Sequence, residues 1–104
     1  MLVVYFFLME TTFYIVLNIT TAKGFESFGK FFLGNNKEVA YNIFRQLKGN
    51  ENVNEKSILQ LDFMETIQGL PVNLQMISCT LEELAENSKI ITKEIFKILN
   101  LEEI

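Results

Sequence analysis

The sequence predicts an α+β domain of order ββαββα, a four-stranded antiparallel sheet with two helices packed on one face. Three observations carry this. Four stretches alternate apolar and polar residues with the two-residue period of strands, two others space apolar residues by three and four, and turn-forming residues separate the members of each strand pair. The chain has 104 residues, of which 49% are hydrophobic and 21% charged. That is the size of one domain, and folding buries roughly two-thirds of the unfolded surface without need of disulfides or structural metals. A single domain over 1–104 is expected, with halves of about 9–49 and 57–104.

The opening MLVVYFFL fits no pattern that follows it, whereas METTFYIVLNI begins like a polar-capped first strand. Met9 is therefore expected as the natural start, with residues 1–8 an upstream extension. FYIVLNI at 13–19 sets Phe13, Ile15, Leu17 and Ile19 against Tyr14, Val16 and Asn18, and Thr20 to Gly24 supplies a turn. A second strand is expected over about 25–33, weakened at Gly29, where a bulge is expected. Val39, Ala40, Ile43, Phe44 and Leu47 then recur at helical spacing, which predicts a helix over about 36–48, capped by Asn35 and closed by a left-handed Gly49. Residues 50–57 are polar and aperiodic and form the longest connection.

ILQLDFME at 58–65 alternates Leu59, Leu61 and Phe63 with Gln60 and Asp62. VNLQMIS at 72–78 alternates Val72, Leu74 and Met76 with Asn73 and Gln75, and TIQGLP between them is a hairpin loop. The last element, about 81–99, places Leu84, Ser88, Ile91, Ile95 and Ile98 on one stripe, widened by Leu81, Ala85 and Leu99. The halves also align. An offset of 45 residues lays GNNKEVA over CTLEELA, pairing Asn35 with Thr80 as caps and Glu38 with Glu83 three positions on. Duplication of one ββα unit is the expectation this raises, with convergence on a common cap the alternative. The connectivity is a circular permutation of the ferredoxin-like βαββαβ order, a likeness of topology.

Composition excludes several chemistries. Nine basic residues against thirteen acidic ones give a net charge of −4, and the cations are scattered, with a single arginine. Displacing counterions from a phosphate backbone needs clustered positive charge, so nucleic-acid binding is not expected. The chain has no histidine. That removes the usual neutral-pH base, the Ser-His-Asp triad and the commonest transition-metal ligand. No nucleotide-binding or nucleophile-elbow glycine motif occurs, so neither cofactor nor metal is expected. Although residues 2–9 are apolar, the first Lys is Lys23, and Glu10-Thr11-Thr12 interrupts the run before it reaches bilayer length. Neither a signal peptide nor a membrane anchor is expected, and a single thiol without disulfide spacing fits the cytoplasm. Asn18-Ile19-Thr20 matches a glycosylation sequon, discounted because it lies inside a strand.

Cys79, just before the Thr80 cap, stands where a helix dipole can lower a thiol pKa. It has neither a histidine nor a CxxC partner, and Glu82 and Glu83 oppose a thiolate, so packing against Leu84 is expected instead. Asp62 and Glu65 are the carboxylates nearest to an acid-base pair, but their spacing points them to opposite faces of a strand. The informative surplus is apolar. If Phe25, Phe31 and Leu33 join the core, the other face of the first hairpin still carries Tyr14, Val16, Phe28 and Phe32, while the second hairpin shows water Gln60, Asp62, Asn73 and Gln75. A greasy half-face needs a cover. The candidates are the first eight residues, a second copy in a two-fold dimer, or a partner protein or apolar ligand. A non-enzymatic self-associating or protein-interaction module using Tyr14, Val16, Phe28 and Phe32, with a homodimer favoured, is the leading expectation. The alternative is a dimeric α/β-barrel-like enzyme or binder of a small apolar ligand, with Tyr14, Asp62 or Cys79 as polar handles.

Overall fold

The computed structural model describes residues 11–54 and 57–99. The expected residues 1–8 extension and the Met9 start lie outside them. Four strands, β1 (Thr12–Thr21), β2 (Gly24–Gly34), β3 (Leu59–Ile67) and β4 (Leu70–Cys79), form one open antiparallel sheet of order β2-β1-β3-β4. Helix α1 (Lys37–Arg45) follows β2, and α2 (Leu81–Ile98) follows β4. The order ββαββα and the α+β class are as the periodicities predict. A permuted ferredoxin-like sheet would set β2 and β4 in the middle; here β1 and β3 are central and the strands that lead into the helices lie at the edges.

One face of the sheet is roofed by both helices. Phe13 and Ile15 from β1, Leu33 from β2, Leu61 and Phe63 from β3, and Ile77 from β4 are buried with Ala40, Ile43 and Phe44 of α1 and Ile91 of α2. Phe63 is the hub. Its ring stacks on Phe44 at 5.1 Å between centroids, takes Tyr41 edge-on at 5.7 Å and lies 6.2 Å from Phe13. Aromatic pairs at these spacings add to the hydrophobic gain of burying each ring.

The helix starts differ from each other. Thr80 caps α2 by accepting from the Glu83 N–H at 3.1 Å, while the Glu83 carboxylate accepts from the Thr80 N–H at 2.9 Å, completing a capping box. The α1 cap is Asn36 rather than the expected Asn35, with its side chain accepting from the Val39 N–H at 3.0 Å. Glu38 therefore sits second in α1, too near the cap to reciprocate, and the two caps are 44 residues apart, not 45.

Gly49 is not a left-handed cap. Helix α1 already ends at Gln46, and Gly49 is needed for close approach, because a Cβ there would meet the Ser78 carbonyl oxygen at 2.6 Å. Left-handed glycines stand instead at Gly24, Gly34 and Gly69, and Gln68 joins Gly69 in the β3–β4 turn with φ of 51°.

The connection after α1, expected as a plain polar linker, is tied down at both of its described ends. Asn87 of α2, fully buried on the same stripe as Leu84 and Ile91, pairs with the Lys48 backbone. Its Oδ1 accepts the Lys48 N–H at 2.7 Å and its Nδ2 donates to the Lys48 carbonyl at 2.8 Å. Asn50 then exchanges two backbone hydrogen bonds of 2.8 Å with Ser78 on the outer edge of β4. Beyond it the Thr20 N–H donates to the Ile58 carbonyl and the Thr20 hydroxyl to that of Ser57. Along α2, Leu84, Ile91 and Ile95 meet the core, but Leu81, Ala85, Ile98 and Leu99, expected to widen the stripe, are exposed, since contact is confined to the middle turns.

Candidate functional site

The face of the sheet away from the helices is built from the alternate residues of each strand, and strand register arranges them in rows. Phe32, Tyr14, Met64 and Asn73 form one row; Lys30, Val16, Asp62 and Met76 the next; Ser27, Asn18, Gln60 and Ser78 a third. Opposite partners in an antiparallel ladder project from the same face, so each row is a line of neighbouring side chains.

Two bulges in β2 alter what this face presents. Phe28 is the extra residue between the Leu17–Gly29 and Asn18–Ser27 pairs, and Leu33 the extra residue between the Phe13–Gly34 and Tyr14–Phe32 pairs. Phe28 and Phe32 are 58% and 62% exposed. Phe25, expected in the core, pairs with Thr20 and is 53% exposed, because the Phe28 bulge changes the alternation of everything before it. Phe31 and Leu33 do face the core. Tyr14 is buried, with the Lys30 ammonium 4.3 Å from its ring centroid and the Phe32 ring at 6.0 Å, and Val16 is half-buried.

The second hairpin departs from expectation in the same way. A shift between Phe63 and Met64 makes Leu74 the extra residue of β4, so Leu74 packs with the core while Met76, expected beside it, pairs with Asp62 on the open face. Gln60 and Asp62 are buried rather than open to water. Asp62 Oδ2 accepts from Asn18 Nδ2 at 2.7 Å and Oδ1 from Gln60 Nε2 at 2.6 Å, and the Ser27 hydroxyl donates to Asn18 Oδ1 at 2.6 Å. Gln60 also reaches Met76 Sδ at 3.3 Å.

This cluster contains a carboxyl group but no cation. Burial pushes the Asp62 pKa above its ordinary value, opposed by the hydrogen bonds from Gln60 and Asn18. Its polar atoms are turned on one another rather than converging on an empty point, and Glu65 lies on the opposite face, so no acid-base pair is assembled. Asn18 and Ser27 were not singled out from sequence; the signal lay in their parity with Asp62, readable only once β1 is known to lie between β2 and β3.

Cys79 pairs with Leu59 on the helix side and packs partly against the core. Burial, with Glu83 adding, raises its thiol pKa, the reverse of what activation requires. The groove beside it, lined by Asn50, Ser78, Thr80 and Glu83, opens on a helix start whose capping donors are already satisfied by Thr80 and Glu83.

Among the described residues no group of three or more acidic or cysteine side chains could hold a metal ion, and no helix is long and apolar enough to cross a membrane. No family model matches the chain, and comparison with curated proteins and solved structures finds no match.

Proposed function

We propose that this protein is a small non-enzymatic module that associates with a second copy of itself through the open face of its sheet. The observation that carries the reading is the exposed phenylalanines of β2, Phe25 and Phe32 in register on that face and Phe28 at the bulge between them, each more than half exposed. Burying Phe28 and Phe32 alone contributes on the order of 3–6 kcal/mol per copy. The edges are poor alternatives. β2 carries two bulges, and β4 carries Pro71, a bulge and the Asn50 bridge, all of which resist strand addition.

A second copy suits the shape of the face. The phenylalanines lie on its β2 side, and the β3–β4 side offers Met64 and Met76, side chains that adapt to an incoming ring. A two-fold axis through the middle sets these rings over the other copy's methionines, an isologous contact. A cytoplasmic setting and descent from a duplicated ββα unit belong to the same proposal, supported by the lone thiol and by the paired hairpins.

Sedimentation velocity tests it. Wild type is expected at twice the 12.1 kDa chain mass, and Phe28→Asp/Phe32→Asp as a monomer with unchanged circular dichroism. Wild type sedimenting as a monomer at high micromolar concentration sinks the proposal.

A further inference from the structure

We draw no further inference here: the strongest candidate, the exposed apolar patch of Phe25, Phe28 and Phe32 along β2, belongs to the surface already described, and nothing in the structure shows what covers it.

Discussion

Replacing Asn87 by alanine is expected to destabilise the fold more than any exposed substitution, by about 2–4 kcal/mol. The magnitude follows from what the side chain holds. Asn87 is fully buried and pairs with both the N–H and the carbonyl of Lys48, at 2.7 and 2.8 Å. An orphaned buried backbone group costs about 1–3 kcal/mol. Lys48 is itself exposed, so water recovers part of the loss on its side, and the two groups together fall toward the middle of the sum. The ion pair between Lys48 and Glu86, at 2.8 Å with both side chains half exposed, contributes little by comparison.

Urea unfolding followed by circular dichroism measures the effect. With a slope of about 1–1.5 kcal/mol per molar, the midpoint should fall by about 1.5 M or more. Asn87→Asp is a sharper probe, since its carboxylate can accept from the Lys48 N–H but faces the Lys48 carbonyl with no donor. It should be at least as damaging as alanine. Faster hydrogen exchange at the Lys48 amide should accompany both. A loss below about 0.5 kcal/mol for Asn87→Ala would refute the reasoning, by showing that the stretch after α1 is not held through this amide.

Two further outcomes concern ionisation. Because the folded pKa of Asp62 is raised, the native state binds more protons than the unfolded chain between the ordinary carboxylate value, 3.8, and the folded one. Stability should therefore rise as pH falls through the folded value and level off below 3.8, and Asp62→Asn should flatten this part of the curve in chemical denaturation at stepped pH. For Cys79, the raised thiol pKa predicts slower alkylation by iodoacetamide at pH 8 in the native protein than in urea, and native labelling as fast as a free thiol would contradict it.

Much of the architecture was legible because strand and helix periods are written in the side chains. Phe13, Ile15, Leu61, Phe63, Ile43, Phe44 and Ile91 all reach the core from positions their spacing predicts. The bulges were not legible in detail. Phe28 and Leu74 each add one residue to a strand, and one residue reverses the faces of its neighbours, which is why Phe25 left the core and Met76 moved to the open face. Gly29 hinted at an irregularity in β2, but nothing in VNLQMIS marks the one in β4.

The candidate face divides along the same line. Phe32 could be read as outward from its parity, but the polar cluster could not, since it joins β1, β2 and β3 in an order the chain does not spell out. Asn87 was hidden for another reason. A lone asparagine on an apolar stripe looks like a surface residue until its partner, a backbone segment 39 residues earlier, is placed against it.

The roof of helices also bears on where assembly ends. A filament needs two adhesive surfaces on every unit, so that each contact leaves another one open. Among the described residues the helices roof one side of this sheet and its lateral strands are kinked or already occupied, so in the proposed pair each copy spends its open face on the other. For a chain with long strands and 49% hydrophobic residues, an isologous contact of that kind closes on itself, where a head-to-tail one would propagate.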